Sequence, residues 1–575
     1  MISLKEKPIG ITASEPGTPA GNCYTSISAG EKAMCFLCAE DPHSSRYNEG
    51  VLFRVPVQTD LARLRSAFTR LLYQYPVLQS TYSQVNGQFV RQIKPEAPVD
   101  WMLVNNTPLS RHQLDRSIQQ YFNEPFDLAT GPLFRVRLFL SGEDEWLVLA
   151  SVHHIVCDGW SLNLLFPQLV AAWHYRDNQD PACLIASEPD YPLFIHRESE
   201  YLLSSDARQS LAFWRESLAA IPARVDLSPG HNPSTSQRQS IPFHLTGDNY
   251  REILAVAKST NTTPFTVMMA AYQLLLARYC NRWETFIGIP WYNRPTRDMR
   301  SVVGYCVNTL PLYQMLDPSM SVVHHLQDLH RHLKQSISHG RFPFSLLNDE
   351  HRHANEGEPI PLQFYLSFRR GYEHSPVLGS NFLPEFDIKL IKQHSLFDIH
   401  LEIIEEKAGF ACLFQYDPRR VAADLVAAAP GHFKQLLHLA CTAPELLLSD
   451  LEFLSAEQRN ELLTLAQGPV RDYLLDGGFP AAFRRSAFQY PDALAVADEH
   501  HQWTYQQLDQ YSDQLARTLK QQWTIQPGQI VGVLLERSVL WAAALLAIGK
   551  TGAIYLPLDP IQPIDRLRFF VSDAG

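Results

Sequence analysis

The sequence has 575 residues, of which 45% are hydrophobic and 19% are charged, and its formal net charge is −11 at pH 7. This length and composition allow several folding units with substantial cores and exclude a disordered chain. The negative charge without a basic cluster argues against a nucleic-acid partner, and no span reaches the ~18 apolar residues of a membrane helix. Nine scattered cysteines indicate reduced thiols. We therefore expect a cytoplasmic protein without a membrane partner.

The first predicted elements alternate between strands and helices. Residues 51–57 are typical of a strand, and Thr59 or Asp60 can cap the helix that follows. Two short strands then flank Asn86-Gly87, a dipeptide that favours a tight hairpin turn. This order predicts an α/β fold from the start of the chain.

The most informative stretch is a strand-to-helix turn near residue 154. The nearly continuous apolar run 145–152 predicts a strand buried on both faces, and apolar residues at helical spacing begin at Leu162. His154 and Asp158 lie between them. An imidazole titrates at ~6.5, so it can exchange a proton near neutral pH. The same pattern alone also fits a buried structural histidine pair or half of a metal site.

A second α/β half follows a polar break at 177–182. Residues 191–218 are predicted to be helical. Thr263 can cap and Pro264 can open a strongly apolar helix, which a strand at 285–289 follows.

The residues around this turn resemble a known signature. The sequence His153-His154-Ile-Val-Cys-Asp158-Gly159-Trp-Ser161 is similar to the HHxxxDG motif of the condensation domains of nonribosomal peptide synthetases. Other stretches resemble further motifs of that family in the family's order, and the likeness runs from Tyr24 to Leu465. These stretches are Ser28–Leu37, Tyr75–Tyr82, Tyr191–Phe194 with Phe213-Trp214, Val303–Leu310 and His339–Phe344.

The resemblance implies an α/β fold with two lobes like chloramphenicol acetyltransferase, arranged in a V-shaped pseudo-dimer. From Phe479 the chain instead resembles the start of an amino-acid adenylation domain, on the residues 503–508 and 546–559. No phosphate-binding loop or distal catalytic lysine follows, so we expect this truncated α/β fragment to be inactive. The expected divisions are a flexible leader at 1–23, an N-lobe at 24–180, a C-lobe at 181–453, a linker at 454–478 and the fragment at 479–575.

The function that the resemblance implies is amide-bond formation. An acyl thioester donor would react with the α-amine of an aminoacyl group on a peptidyl carrier domain. The condensation part would bind no metal, ATP or other cofactor, because its substrates arrive on phosphopantetheine, either of a carrier protein or of coenzyme A. The expected partners are an acyl-CoA or acyl carrier protein, the acceptor carrier domain and the remainder of the synthetase, with the protein itself a monomer.

The resemblance also assigns roles at the turn. His154 is expected to accept the amine proton or to hydrogen-bond the amine, and His153 to support the strand. Asp158 is expected to anchor the loop. Members of the family usually carry an Arg where this chain has Gln79, and that Arg often pairs with the motif aspartate. Arg294 is therefore our candidate partner of Asp158, because Arg binds a carboxylate through two parallel hydrogen bonds. Alternatively, Arg294 only shapes its loop.

Four further residues receive supporting roles. Gly159 and Trp160 are expected to line the route of the acceptor, and Ser161 to cap the following helix. Asn308 is expected either to bond a phosphopantetheine tether or to close a turn.

The donor is the least constrained part of the prediction. Residues 28–34 resemble condensation domains that accept acyl or polyketide donors, and if Met1 is the natural start the domain would open a synthetase. We therefore expect a starter domain that transfers a fatty-acyl group. The alternatives are an internal domain with a polyketide or peptidyl donor, an inert platform that binds carriers, and an epimerisation domain that uses the same histidine.

Overall fold

The computed structural model describes residues 24–95, 98–105, 107–142, 144–174, 191–228, 238–370, 389–392, 396–468 and 477–575. The chain divides into two compact units, Met1–Arg459 and Asn460–Gly575, each with its own apolar clusters. The predicted leader 1–23, the polar break 177–182 and part of the predicted linker 454–478 lie outside the described residues. No helix in the described part of the chain is long and apolar enough to span a membrane.

The N-terminal half of the first unit, residues 24–174, contains two sheets covered by helices. One sheet has the strand order β12-β2-β7-β6-β5 and the other has the order β1-β4-β3. The elements are β1 (Tyr24–Thr25), α1 (Ala29–Glu40), β2 (Asn48–Pro56), α2 (Leu61–Gln74), a 3-10 helix (Pro76–Gln79), β3 (Ser80–Val85), β4 (Gln88–Ile93), β5 (Asp100–Leu103), α3 (Arg111–Phe122), β6 (Phe134–Ser141), β7 (Glu145–His153), a second 3-10 helix (His154–Val156) and α4 (Gly159–His174), with β12 (Lys389–Lys392) supplied by the C-terminal half.

The C-terminal half, residues 191–453, is built on one six-stranded sheet of order β10-β9-β11-β13-β14-β8. Its elements are α5 (Tyr191–Leu202), α6 (Ser205–Ser217), β8 (Gln239–Thr246), α7 (Asp248–Ser259), α8 (Pro264–Tyr279), β9 (Glu284–Trp291), a 3-10 helix (Asp298–Ser301), β10 (Asn308–Met315), α9 (Val322–Ser338), α10 (Phe344–Ala354), β11 (Phe364–Arg370), β13 (Ile399–Glu406), β14 (Gly409–Tyr416), α11 (Ala423–Thr442) and a 3-10 helix (Leu448–Asp450). The helical stretch predicted at 191–218 is thus two helices.

Local sequence signals account for several of these elements. The carboxylate of Asp60 accepts hydrogen bonds from the first turn of α2, so Asp60 rather than Thr59 is the cap. Thr263 caps α8 and Pro264 is its first residue, as predicted. Asn86 and Gly87 both have positive φ, at 51° and 79°, which confirms the tight hairpin between β3 and β4.

One strand joins the two halves. Although β12 belongs to the C-terminal half in sequence, it pairs antiparallel with β2, so that β2 lies between β12 and β7. The sequence pattern did not predict this pairing of β12 with β2. The boundary at residue 180 between the predicted lobes stays a prediction.

Burial of His325 in α9 predicts a pH dependence of stability. Its side chain is 2% exposed, none of the described residues bonds its Nε2, and burial lowers its pKa to about 4 despite the nearby Asp328. An unfolded His titrates at ~6.5, so below that pH the unfolded chain binds the extra proton and the folded state loses stability. Between pH 7.5 and 5.0 this loss is about 2 kcal/mol for one histidine.

The His325→Leu variant removes this contribution. We expect its free energy of unfolding, measured in urea by tryptophan fluorescence, to fall less than that of the parent between these two pH values. The exposed His353 of α10 provides the control, and His353→Leu should follow the parent. An equal fall in His325→Leu and in the parent would contradict the assignment.

The second unit is a small α/β arrangement, as predicted. It contains the parallel pair β17 and β18 and an antiparallel pair β15 and β16. After α12 (Ala456–Ala466), which spans the boundary between the units, the elements are α13 (Gly478–Gln489), β15 (Leu494–Ala497), β16 (Gln502–Thr504), α14 (Tyr505–Gln521), β17 (Ile530–Leu534), α15 (Val539–Thr551), β18 (Ile554–Leu558) and α16 (Ile564–Ala574).

Lys550 lies within the second adenylation-like stretch, and its side chain is paired with side chains of a neighbouring helix. Its ammonium contacts the Oδ1 atoms of Asp509 at 2.6 Å and Asp513 at 2.8 Å and donates to Ser512, and its side chain is 4% exposed. The charge of Lys550 is therefore used to join α15 to α14.

Candidate active site

The predicted strand-to-helix turn is confirmed. Strand β7 is buried from Trp146 to His153, a 3-10 turn follows at His154–Val156, and α4 begins at Gly159. A buried strand on one side and a helix on the other hold this turn in place, so the side chains on it have defined positions.

The ring of His154 is held in one tautomer by a backbone carbonyl oxygen. Its Nδ1 lies 2.9 Å from the carbonyl oxygen of Cys157 and 3.5 Å from Oε1 of Glu49. A carbonyl oxygen cannot donate a proton, so Nδ1 carries the hydrogen and donates it to Cys157. Nε2 then keeps its lone pair. The side chain is 22% exposed, and the ring of Tyr305 packs against it with the ring centres 5.0 Å apart.

His153 is a neutral, structural residue. It is 2% exposed, and its Nδ1 accepts a hydrogen bond of 3.1 Å from the backbone N–H of Ile155. Burial, with a smaller effect of the neighbouring His154, lowers its pKa to about 3. These contacts fit the predicted role of supporting the strand.

Asp158 is fully buried and accepts six hydrogen bonds. Two come from the backbone and hydroxyl of Ser161, two from the guanidinium of Arg294, and two from the backbone N–H groups of Cys306 and Val307, at 2.7 to 3.1 Å. Burial alone would raise the pKa of Asp158, but Arg294 and the other donors hold it below its usual value. Asp158 is therefore an ionised anchor between α4 of the N-terminal half and residues 294–307 of the C-terminal half.

Arg294 is the partner that the sequence predicted for Asp158. The side chains are 2% and 1% exposed, and the pair is bidentate. Arg294 also donates to the carbonyl oxygens of Tyr292 and Val302, so it shapes its own loop as well. Gln79, which replaces the usual Arg of the second motif, donates instead to the carbonyl oxygen of Pro95.

The expectation that Ser161 caps α4 is wrong. The helix begins at Gly159, so Ser161 lies inside its first turn, and the carboxylate of Asp158 accepts the backbone N–H that a cap would satisfy. The hydroxyl of Ser161 donates to Asp158 at 2.7 Å and accepts from the backbone N–H of Gly304 at 3.0 Å. Ser161 therefore connects the two halves.

The side chain of Trp160 is held by a backbone carbonyl oxygen. The indole of Trp160 donates to the carbonyl oxygen of Arg300, and its ring lies 5.1 Å from that of Tyr292. The role of Trp160 and Gly159 in lining the acceptor route stays a prediction.

The side chain of Asn308 closes a local connection. Its amide donates to the carbonyl oxygens of Gly340 and Phe342, and its oxygen accepts from the backbone N–H of Phe344. This geometry fits the second of its two predicted roles, closing a turn.

Sequence reasoning missed Glu49 and Tyr305 as neighbours of His154. Tyr305 lies inside a stretch that resembles a family motif, but nothing in the sequence placed its ring against His154. Glu49 precedes the apolar run of β2, and only the register of β2 against β7 brings it to the turn. Among the described residues, no cluster of His, Cys, Asp and Glu has the geometry of a metal site.

Comparison with known proteins identifies two families along the chain. Residues 25–463 match the condensation domain family, and residues 483–575 match the AMP-binding enzyme family. The chain is 25% identical over 561 residues to gramicidin S synthase 2 of Brevibacillus brevis, and 25% identical over 568 residues to tyrocidine synthase 2 of Brevibacillus parabrevis. These alignments cover 97% and 96% of this chain but only 12% and 15% of the two relatives.

Solved structures agree on the fold. A four-domain nonribosomal peptide synthetase bound to AMP and glycine matches with a TM-score of 0.76 at 20% identity, over 97% of this chain and 44% of that chain. The condensation domain of the Monacolin K polyketide synthase MokA matches with a TM-score of 0.63 at 19% identity, over 74% of this chain and 99% of that chain. The family matches and these folds confirm what the motifs predicted: the chain belongs to the condensation domain family of nonribosomal peptide synthetases, followed by part of an AMP-binding domain.

Proposed function

We propose that the first unit forms an amide bond between an acyl thioester and the α-amine of an aminoacyl group on a phosphopantetheinyl carrier domain. The observation that carries this proposal is the tautomer of His154. The carbonyl oxygen of Cys157 fixes the ring hydrogen at Nδ1, and Nε2 is left able to accept a proton. Membership of the condensation domain family supports the reaction class.

The reaction needs one proton acceptor. The neutral amine nitrogen attacks the thioester carbonyl carbon, and the π electrons of the carbonyl group move to its oxygen. The nitrogen then gives one proton to Nε2 of His154. When the tetrahedral intermediate collapses, the C–S bond breaks and the sulfur leaves with its electron pair. The imidazolium returns the proton to that sulfur, so the ring ends the cycle neutral.

Asp158 is unsuited to proton transfer, because six hydrogen bonds, two of them from Arg294, keep it ionised. We infer that its role is to hold the turn that carries His154. General-base catalysis typically contributes ~10²–10⁴-fold, whereas alignment of two bound reactants can supply effective molarities of ~10⁵ M or more. Holding the substrates therefore contributes at least as much as the proton transfer.

For the donor we propose a fatty-acyl thioester, on coenzyme A or an acyl carrier protein. The support is the resemblance of residues 28–34 to condensation domains that accept acyl or polyketide donors. The acceptor would be a peptidyl carrier domain. The second candidate, a polyketide or peptidyl donor, has support from the structural matches, which include a nonribosomal peptide synthetase and the condensation domain of a polyketide synthase.

A panel of donors tests this proposal. The full chain is incubated with aminoacyl carrier domains and, in separate reactions, with straight-chain acyl-CoAs, an acyl carrier protein or an aminoacyl carrier. Intact-protein mass spectrometry of the acceptor carrier then detects an added acyl group. We expect product from the acyl-CoA or acyl carrier protein, with a several-fold preference per methylene because burial of each CH₂ is worth ~0.8 kcal/mol.

Other outcomes identify the alternatives. Product from the aminoacyl donor alone would reject the fatty-acyl donor and keep amide formation. An inverted α-carbon without a change in mass would indicate epimerisation. Carrier binding without either change would indicate an inert platform and overturn the proposed function.

A further inference from the structure

Glu49 is a buried carboxylate beside His154 that no motif contains. It lies near the start of β2, a strand with neighbours on both sides, and its backbone is opposite Val152 of β7. The residue is 8% exposed, and its Oε1 is 3.5 Å from Nδ1 of His154. Glutamate is seldom buried to this extent unless its charge interacts with another group, and the His154 ring is one such group.

The other ionisable groups around the ring contribute little net charge. Asp158 shares its charge with Arg294 in a bidentate pair. His153 is neutral because burial lowers its pKa to about 3, and burial raises the pKa of the Tyr305 phenol, so it too is neutral. Of the described residues, Glu49 is the one whose carboxylate lies within ion-pair distance of the His154 ring.

We propose that Glu49 is a positioning residue that orients His154 and stabilises its protonated form while the ring holds the amine proton. This inference rests on the proposed function. The ring gains a positive charge when Nε2 accepts the proton, and a carboxylate 3.5 Å away lowers the energy of that state more than the energy of the neutral ring. Glu49 itself exchanges no proton, since the proton moves from the amine to Nε2 and then to the leaving sulfur.

Steady-state kinetics distinguish this role from a structural one and from substrate binding. A group that stabilises the imidazolium affects kcat, whereas a group that binds substrate equally in the ground and transition states affects KM. The variant Glu49→Gln keeps the size of the side chain and removes its charge. We expect kcat to fall by about tenfold or more, with KM for the acceptor changed by less than about twofold.

Two further variants support the measurement, with dodecanoyl-CoA as donor and aminoacyl carrier domains as acceptors. Glu49→Asp retains the charge and should keep more of kcat than Glu49→Gln. If Glu49→Gln does not fold, Glu49→Asp is compared with the parent in its place. The control is Glu145→Gln, because Glu145 lies at the opposite end of the same β2–β7 pair, in an exposed contact with Arg54. This control should match the parent.

A second readout does not require activity. In the full chain labelled with ¹⁵N-histidine, the signals of His154 are those that disappear in His154→Ala. Near pH 6 we expect a smaller protonated fraction of His154 in Glu49→Gln than in the parent. If the parent forms no amide, the proposed function fails, but this spectrum still decides whether Glu49 stabilises the imidazolium. An unchanged protonated fraction, or a raised KM at constant kcat, would overturn the inference.

Discussion

Replacing His154 with alanine is expected to lower amide formation by ~10²–10⁴-fold, because the variant loses the proposed proton acceptor. The fold should persist, since the side chain is 22% exposed and its hydrogen bond to Cys157 lies within its own turn. Product is measured as acylated acceptor carrier by mass spectrometry, and the fold by thermal unfolding.

The exposed His112 of α3 offers a matched control, because His112→Ala removes the same ring away from the site. Its product yield should equal that of the parent. If both variants keep the parent yield, His154 is not the catalytic base. If His154→Ala instead unfolds at the assay temperature, the ring has a structural role that its contacts do not indicate.

Replacing Asp158 with alanine is expected to destabilise the first unit by about 3–5 kcal/mol, because it leaves the guanidinium of Arg294 buried without its counter-charge. The backbone N–H groups of Cys306 and Val307 lose their acceptor as well. Urea unfolding followed by tryptophan fluorescence measures the loss, and a shifted midpoint with an unchanged slope would report stability alone.

An exposed ion pair supplies the comparison. Asp248 pairs with Arg251 in the first turn of α7 with both side chains mostly in solvent, so Asp248→Ala should cost about 1 kcal/mol or less. Equal unfolding midpoints for Asp158→Ala and the parent would show that the buried pair does not hold the turn. The role of Asp158 would then have to be sought in the chemistry.

Local structure at the site was predictable from the sequence. The apolar run 145–152 could be buried on both faces only as an interior strand, and the polar residues after it had to form a turn before the apolar helix. The hairpin at Asn86-Gly87 and the cap Thr263 also follow from the conformational preferences of single residues, whereas the choice of Asp60 over Thr59 needed the structure.

Contacts between distant segments could not be predicted in the same way. The pairing of β12 with β2 and the position of Glu49 beside His154 depend on which strands pair and in what register. The hydrophobic pattern of each strand does not indicate its partner when the two strands are far apart in the sequence. Arg294 is an instructive exception. It was a candidate because members of the family usually pair the motif aspartate with an Arg that is Gln79 in this chain, so the resemblance led to a contact between residues 136 positions apart.

A single-turnover measurement would test proton transfer through His154. The full chain, already saturated with acyl donor, is mixed rapidly with a limiting amount of aminoacyl carrier, and the acylated carrier is quantified after acid quench at successive times. Because only one turnover is followed, slow product release does not affect the rate. Catalysis by His154 predicts a fast first-order phase in the parent that is ~10²–10⁴-fold slower in His154→Ala. Equal first-order rates in the two chains would contradict it.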